Sequence, residues 1–272
     1  MLNAAATTTA TDEYTTFCDG VRALCGIDLS QYKRGQMERR IRTFADRRGA
    51  PELISYLQRL RGDAGELDAF LDRVTINVSQ LWRNPDQWDR LERRVLPELA
   101  DTHPHPPRIR AWSAGCSYGA EAYTLAALAR HAAPSAQVEI TGTDIDRRVV
   151  ARAQRGVFTA DDARDAPRAL LSRFFDEADG GAWAARPEIR ALARFEVADL
   201  LRIPPRPEQY DLVLCRNTVI YFTDEVRDAL HAKLVASLRP GGYLVVGATE
   251  RVANQRELDL TPAFPFTYRK AV

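Results

Sequence analysis

The stretch Trp112-Ser113-Ala114-Gly115-Cys116-Ser117-Tyr118-Gly119-Ala120-Glu121 decides how the second half of this chain folds. It follows a short apolar run that begins at Arg108, and it precedes a helical pattern that continues to Ala132. Two glycines with small neighbours allow the backbone to turn tightly and to approach a ligand closely. The order of residues is not the G-x-G-x-x-G of a dinucleotide-binding turn, and the stretch alone is equally compatible with an ordinary strand–helix connection.

Strand and helix patterns alternate from residue 108 onward. This alternation predicts an α/β fold with a mostly parallel, doubly wound sheet that is covered by helices on both faces. Such sheets bind ligands at the carboxyl ends of their strands, so functional residues are expected directly after each strand. We predict strands over 108–113, 138–143, 195–198, 210–215 and 242–247, and helices over 119–132, 146–154 and 223–238.

The first part of the chain has a different pattern. Residues 12–77 show repeated helical spacing and no strand pattern, which predicts a small all-helical domain. Residues 78–107 are predicted to be a linker with one helix, from Asp86 to Leu99, and residues 1–11 a disordered leader. The linker ends in a proline-rich break with His103 and His105. Because these histidines lack cysteine or carboxylate neighbours, no metal site is expected.

The composition is that of an ordinary globular protein, with 272 residues, 45% apolar and 28% charged, and a net charge of +1. No apolar run approaches the roughly 20 residues that span a bilayer, and the start lacks the basic and apolar parts of a signal peptide. We therefore expect a cytoplasmic monomer that does not insert into the membrane. The small net charge gives no general attraction to nucleic acid. Cys116 and Cys215 are expected to be small, buried packing thiols.

Polar side chains follow the predicted strands. Asp144 ends the second strand, where a carboxylate accepts hydrogen bonds from both ribose hydroxyls of an adenosine group. Because the pyrophosphate turn is missing, an adenosine ligand without phosphates is favoured over NAD. Asp199 follows the third strand, where a carboxylate accepts the adenine amino group. Arg216 and Asn217 follow the fourth strand and should face the same site, because inside the core their polar groups would be unsatisfied.

Several motifs together resemble those of the CheR-type chemotaxis receptor methyltransferases, in an order that covers nearly the whole chain. The resemblance implies a small N-terminal helical domain, a Rossmann-like catalytic domain and a small insertion subdomain, expected at residues 156–194. Members of this family use S-adenosylmethionine to methylate glutamate side chains of chemoreceptors, leaving S-adenosylhomocysteine. The motifs are Asn77-Val78-Ser79-Gln80-Leu81-Trp82-Arg83, Trp112–Ser117, Thr143-Asp144-Ile145-Asp146, Cys215-Arg216-Asn217 with Ile220-Tyr221-Phe222, and Leu238-Arg239-Pro240-Gly241-Gly242.

The resemblance also implies roles for individual residues. Arg83 and Tyr221 are expected to be catalytic, with the Arg83 guanidinium holding the substrate carboxylate. The ordinary alternative for Arg83 is a surface ion pair with Asp86 or Asp89. No general base is expected, because a glutamate carboxylate is already ionised near neutral pH. The residues expected to bind the cofactor are Asn77, Ser79, Arg83, Ala114, Gly115, Glu121, Asp144, Ile145, Asp199, Leu200, Arg216 and Asn217.

Some positions depart from the usual family motifs. Gly119-Ala120-Glu121-Ala122-Tyr123 stands in place of G-E-E-P-Y, and Ser79, Trp82 and Asp199 replace the usual threonine, phenylalanine and asparagine. Two alternatives therefore stay open. One is a carboxyl methyltransferase of the same fold that acts on another protein or a small molecule. The other is a non-catalytic signalling module that binds S-adenosylmethionine or S-adenosylhomocysteine.

A basic segment in the helical part suggests a partner. Residues 31–48 carry seven basic side chains and two acidic ones, a local charge of +5. Such a run is most often a solvated helix face. The resemblance implies an acidic coiled-coil partner, and on that basis the Lys33–Arg48 helix is predicted to dock on the cytoplasmic domain of a chemoreceptor. The short insertion with Asp179-Gly180-Gly181 favours a member of the family that does not bind a receptor tether peptide.

Overall fold

A computed structural model describes residues 12–75, 77–102, 106–204 and 206–272. Its internal contacts divide the chain into two compact units. The first is Met1–Ile76 with Tyr221–Thr223, and the second is Asn77–Ile220 with Asp224–Val272. The expected leader at residues 1–11 and the histidines His103 and His105 lie outside the described residues.

The described part of the first unit is built of helices, with one isolated antiparallel bridge between Tyr32 and Phe222. The first helix begins where the Asp12 side chain accepts a hydrogen bond from the Thr15 backbone N–H at 2.8 Å, and it ends at Gly26, whose φ is 81°. Its helices are α1 (Glu13–Cys25), α2 (Arg34–Arg47), α3 (Leu53–Gly62) and α4 (Ala64–Thr75), with a 3-10 turn at Leu29–Gln31.

An aromatic cluster forms the centre of this unit. The ring of Phe70 lies 5.8 Å from that of Phe17 and 6.0 Å from that of Tyr56, both with edge-on geometry. The Tyr56 hydroxyl donates to the buried Glu66 carboxylate at 3.0 Å, and Arg48 pairs with the same carboxylate at 2.6 Å. The hydrogen bond from Arg48 holds the pKa of Glu66 below its ordinary value. A buried charge is thus kept ionised by its partners.

A seven-stranded sheet organises the described part of the second unit. The strands run in the order β6-β2-β1-β7-β8-β10-β9. All pairs from β6 through β8 are parallel, and only β10 pairs antiparallel, with both of its neighbours. The strands are β1 (Arg108–Ala114), β2 (Gln137–Asp144), β6 (Ala193–Val197), β7 (Tyr210–Cys215), β8 (Leu238–Val246), β9 (Leu260–Phe264) and β10 (Thr267–Lys270).

This topology confirms the predicted mostly parallel α/β fold. The strand order reverses between β1 and β7, which places the expected ligand crevice at the carboxyl ends of these two strands. The antiparallel β9–β10 hairpin is absent from the sequence-based strand assignment. Its first strand contains Pro262, which cannot donate a ladder hydrogen bond, and β9 is accordingly an edge strand. Cys116 and Cys215 are buried free thiols, as expected.

Helices cover the sheet. Among the described residues, none of the helices is both long and apolar enough to cross a bilayer. The helix predicted from Asp86 to Leu99 is a helical run interrupted by a π-helical turn at Leu91–Val95, and Trp88 is buried within it. The helices are α5 (Pro85–Arg90), α6 (Leu96–Asp101), α7 (Ala120–Ala132), α8 (Arg147–Arg155), α9 (Arg168–Phe174), α10 (Pro187–Arg190) and α11 (Asp224–Ser237).

A second, smaller sheet forms within residues 156–194, where the insertion subdomain was expected. Its strands are β3 (Val157–Phe158), β4 (Phe175–Ala178) and β5 (Ala182–Ala185), and β5 pairs antiparallel with both neighbours. Phe158 and Phe175 are buried, with ring centroids 6.0 Å apart. The Phe158 ring also lies 5.5 Å from that of Tyr123, and this contact anchors the small sheet to the core of the second unit.

The packing around two helical glycines predicts opposite effects when each is replaced by alanine. A Cβ added at Gly20 would lie 2.2 Å from the buried Leu57 side chain, whereas a Cβ at Gly35 would meet nothing within 4 Å. We expect Gly20→Ala to lower the free energy of unfolding by about 1–3 kcal/mol through overpacking. Gly35→Ala should raise it by about 0.5–1 kcal/mol through helix propensity.

Urea unfolding followed by far-UV circular dichroism measures both effects. Tryptophan fluorescence would miss the first unit, because all four tryptophans follow residue 81. An increase in the unfolding midpoint of Gly20→Ala would contradict the tight α1–α3 packing.

Candidate active site

The ends of β1, β2 and β7 meet around the glycine turn. The backbone N–H groups of Gly115 and Cys116 both donate to the Thr143 carbonyl at 2.9 Å, which ties the ends of β1 and β2 together. Gly115 has a φ of 79°, and a Cβ there would lie 2.5 Å from the Thr218 hydroxyl in the segment after β7. Glycine is therefore required here both by the backbone conformation and by the close approach of the next segment.

The buried Asp144 carboxylate lies at this junction. One oxygen accepts the Ser117 backbone N–H at 2.8 Å, and the other accepts the Asp146 backbone N–H at 3.0 Å. Burial raises the pKa of Asp144, and these hydrogen bonds oppose the shift. Each carboxylate oxygen has a second lone pair with which to accept a ligand hydroxyl. The Ala198 N–H donates to the Asp144 carbonyl at 2.8 Å, which brings the segment after β6 to the same edge.

The segment that begins at Asn77 approaches the same edge. The Asn77 side-chain amide donates to the Asp146 carboxylate at 2.9 Å. The Ser79 carbonyl is contacted by the Tyr118 hydroxyl, which also donates to Asp162 at 2.8 Å. Two of the residues predicted from the first motif, Asn77 and Ser79, are therefore held close to the turns that follow β1 and β2.

Arg216 connects three parts of the site from a buried position. Its Nε donates to the Gln87 side chain at 3.0 Å, its Nη1 to Glu121 at 3.3 Å, and its Nη2 to the Arg83 carbonyl at 2.6 Å. The Trp88 ring lies 4.9 Å from the guanidinium carbon. Because protein groups occupy these donors, Arg216 holds the strand end, α7 and the segment before α5 together.

Glu121 is the carboxylate partner of Arg216 at the start of α7. It also accepts the Ser113 hydroxyl at 2.7 Å. Burial raises the pKa of Glu121, and the Arg216 charge is the largest influence in the opposite direction. Ala120 and Ala122 on either side are fully buried. The departure from the usual acidic motif is therefore a change in core packing that leaves Glu121 in place.

Arg83 lies at the edge of this network and is half-buried. Its Nη1 donates to the Val78 carbonyl at 3.0 Å, and its charge acts on both Glu121 and Arg216. Among the described residues it forms no ion pair with Asp86 or Asp89, and Asp89 pairs instead with Arg93 at 2.8 Å. The structure thus gives no support to the surface ion pair, and the role of Arg83 in the site stays a prediction.

The other predicted residues lie at the strand ends with fewer contacts. Ala114 is the buried last residue of β1, and Ile145, half-buried, follows Asp144. The Asp199 carboxylate accepts the Leu201 N–H at 2.9 Å, and Leu200 is buried. Asn217 follows Arg216 with a φ of 59°.

Tyr221, predicted as catalytic, is grouped with the helical unit and not with this one. There its ring centroid lies 5.9 Å from the Arg40 guanidinium carbon. Its catalytic role stays a prediction.

Glu250 is a buried carboxylate of this site that the sequence pattern did not single out. It accepts the backbone N–H groups of Asn217 at 2.8 Å, Gly247 at 2.6 Å and Val219 at 3.2 Å. Burial raises the pKa of Glu250, and these hydrogen bonds oppose the shift. The side chain thus fixes the segment after β7 against the end of β8. Glu250 lies four residues beyond the end of β8, so a search for polar residues a few positions past each strand end would have found it.

Two family models match successive parts of the chain. The CheR methyltransferase all-alpha domain matches residues 12–75, and the CheR methyltransferase SAM-binding domain matches residues 77–263. The chain belongs to the CheR methyltransferase family. As a CheR member it is a methyltransferase, and its cofactor is S-adenosylmethionine.

Two relatives can be aligned with this chain over most of their own length, and a solved structure over about half. A chemotaxis protein methyltransferase of Listeria monocytogenes is 33% identical, over 95% of this chain and 97% of its own. Chemotaxis protein methyltransferase 1 of Pseudomonas aeruginosa is 32% identical, over 85% of this chain and 86% of its own. A solved S-adenosylmethionine-dependent methyltransferase from Mesorhizobium loti is 21% identical with a TM-score of 0.31, covering 55% of this chain and 51% of that one.

The role of Glu250 predicts a large loss of stability on truncation. Glu250→Ala leaves the three backbone N–H groups without their acceptor, and we expect the free energy of unfolding to fall by about 2–4 kcal/mol. Urea unfolding followed by tryptophan fluorescence reports on the second unit, where all four tryptophans lie. Glu257→Ala, at an exposed position in the same region, is the matched control and should change stability little. Equal effects from both substitutions would contradict this role.

Proposed function

We propose that this protein transfers the methyl group of S-adenosylmethionine to glutamate side chains of chemoreceptors and forms methyl esters. The proposal is supported by two relatives named as chemotaxis protein methyltransferases, each aligned over most of its own length. The structural observation that carries it is the buried Asp144 carboxylate at the end of β2, beside the Gly115 turn that follows β1, and the strand order reverses between β1 and β7.

The residues at the strand ends fit the cofactor. Asp144 keeps an acceptor lone pair on each oxygen for the two ribose hydroxyls. The Ser117 hydroxyl beside it is buried and has no hydrogen-bond partner among the described residues, as expected of a group that a ligand satisfies. Asp199 and Leu200 are assigned to the adenine, and Ala114 and Ile145 to the walls of the pocket. Asn77, Ser79, Arg216 and Asn217 shape it, mainly by positioning the surrounding segments.

Methyl transfer to a carboxylate requires little from the protein beyond the positioning of the two reactants. The bound cofactor supplies an electrophilic methyl group on a sulfonium centre. A glutamate side chain is ionised near neutral pH, so its carboxylate attacks without a general base. The task of the protein is then to hold the carboxylate oxygen in line with the methyl group. We assign this to Arg83, whose guanidinium is half-buried and not neutralised by Asp86 or Asp89. Tyr221 is the second candidate for a contact with the substrate.

Two alternatives differ from this proposal in the acceptor that is methylated or in whether a methyl group is transferred at all. A carboxyl methyltransferase of another substrate would give the same type of ester on a different acceptor. A non-catalytic module would bind the cofactor and transfer nothing. The half-buried guanidinium group of Arg83, which forms no ion pair among the described residues, favours an enzyme, because a module that only binds the cofactor does not need to hold a substrate carboxylate.

A methylation assay tests the proposed reaction. The protein is incubated with methyl-labelled S-adenosylmethionine and the cytoplasmic fragment of a chemoreceptor from the same organism. We expect label on the fragment that is released as methanol at high pH, because carboxyl methyl esters hydrolyse in base whereas N-methyl groups do not. Fragment in which the modified glutamates are replaced by alanine should stay unlabelled. A second reaction contains a cell lysate in place of the fragment. Labelling of lysate components but not of the fragment would support the first alternative and contradict the chemoreceptor substrate.

The partner surface proposed for receptor docking is the exposed part of α2. Arg34 is paired with Asp12 at 2.7 Å, and Arg42 with Glu13 at 3.0 Å, so these two cations serve the helical unit itself. Arg39 and Arg40 form no ion pair among the described residues and are the cations that we assign to an acidic coiled-coil partner. The local charge available for docking is thus smaller than the sequence alone indicates.

Charge reversal on α2 tests this docking surface. We expect Arg39→Glu with Arg40→Glu to raise KM for the receptor fragment at least about tenfold, since like charges brought together at an interface cost several kcal/mol. The Kd for S-adenosylhomocysteine should stay unchanged. Arg61→Glu with Arg155→Glu, at exposed positions on α3 and α8, changes the net charge by the same amount and is the matched control. An equal rise in KM for the control would show a general charge effect and contradict a specific surface.

A further inference from the structure

We propose that a cavity in the helical unit is a binding site for a small polyphosphate anion, such as the diphosphate group of a nucleotide. The cavity lies beside α2 and has a volume of about 320 Å³. Four cationic side chains line it, Lys33, Arg39 and Arg40 from α2 and the residue before it, and Arg73 from α4. The volume is at the lower end of the range for small-molecule sites.

The lining contains no carboxylate, whereas five other arginines of the same unit pair with carboxylates. None of the four cations forms an ion pair in the part of the chain that the structure describes. On the same helix, Arg34 and Arg42 share the Glu38 carboxylate at 3.0 and 2.9 Å. The carboxylate on α2 therefore pairs with arginines outside the cavity, and the cations that line the cavity have no such partner on this helix. This arrangement concentrates positive charge on one concave surface.

Arg40 and Arg73 show the cost of this arrangement. Burial lowers the pKa of Arg40, and the neighbouring charge of Arg73 lowers it further. Two guanidinium groups held close together without a counter-ion raise the free energy of the unit. An anion bound between them removes that repulsion, which gives the cavity a driving force for ligand binding beyond its individual hydrogen bonds.

The lining favours phosphate over a single carboxylate. Guanidinium groups bind phosphate oxygens in bidentate pairs, and Lys33 adds a point charge of the kind that phosphate sites use. The Thr43 hydroxyl and the Tyr221 ring complete the wall. The Arg40 guanidinium lies over that ring, 5.9 Å from its centroid, which limits how far it swings away from the cavity. Convergence of four positive charges suits a ligand with three or more negative charges.

A bound anion would also regulate the enzyme, and this consequence rests on the proposed function. Arg39 and Arg40 belong both to the cavity and to the surface assigned to receptor docking. An anion in the cavity therefore neutralises charges that the receptor needs, and it should compete with the receptor and not with the cofactor. Anion binding itself does not depend on which substrate is methylated.

Calorimetric titration tests the site directly. Inorganic pyrophosphate is titrated into the full chain loaded with S-adenosylhomocysteine, with ionic strength held constant by NaCl. We expect saturable binding with a stoichiometry of one. Arg40→Gln and Arg73→Gln should each weaken it at least tenfold, and Arg40→Lys, which keeps the charge, should weaken it less than Arg40→Gln. Arg61→Gln removes the same charge outside the cavity and should leave the Kd unchanged.

Several results would overturn the site. These are the absence of saturable binding, a Kd that Arg40→Gln and Arg73→Gln leave unchanged, and equal weakening by Arg61→Gln. Circular dichroism spectra of the variants exclude unfolding as the cause of lost binding. In the methylation assay, pyrophosphate should raise KM for the receptor fragment and leave KM for S-adenosylmethionine unchanged. If the protein methylates another substrate, the titration still decides the anion site by itself.

Discussion

The structure of the site depends on the burial of the Asp144 carboxylate at the end of β2. Its two oxygens accept backbone N–H groups from the turn after β1 and from the start of α8, so one side chain orders two segments. The same position keeps an acceptor on each oxygen for a ligand. Burial raises the pKa of this carboxyl, which is the cost of holding an acceptor away from water. Asp144 ends β2, the neighbour of β1, and the strand order reverses on the other side of β1.

Two further buried side chains repeat this principle. Glu250 gathers N–H groups after β7 and β8, and Arg216 connects the end of β7 with Glu121 and the Arg83 carbonyl. Each is a charged group that hydrogen-bonds backbone or side chains from several segments. Because an unpaired buried charge is strongly destabilising, the segments must come together for the fold to be stable. The geometry of the site and the stability of the second unit are therefore linked.

The sequence predicted the features that repeat along the chain. Strand and helix periodicity located the parallel strands, and polar residues at strand ends identified Asp144. Features that depend on distant contacts were not predictable in this way. The bond from Arg216 to Gln87 joins residues 129 positions apart, and nothing local distinguishes Arg216 from a ligand-binding arginine. The β9 strand, with Pro262, looks like a loop in the sequence. Likewise, the ion pairs that neutralise Arg34 and Arg42 depend on tertiary packing and on the neighbouring helix α1.

The most direct test of the central claim is calorimetric titration of S-adenosylhomocysteine into the wild type and into Asp144→Asn. The amide is nearly isosteric but loses the charge and one acceptor, and hydrogen bonds to a charged group contribute about 1.5–3 kcal/mol each. Glu139→Gln, exposed on the same strand, is the matched control. We expect the Kd of Asp144→Asn to rise at least about tenfold and that of Glu139→Gln to stay unchanged. A folded Asp144→Asn variant whose Kd lies within a factor of about two of the wild type would contradict it.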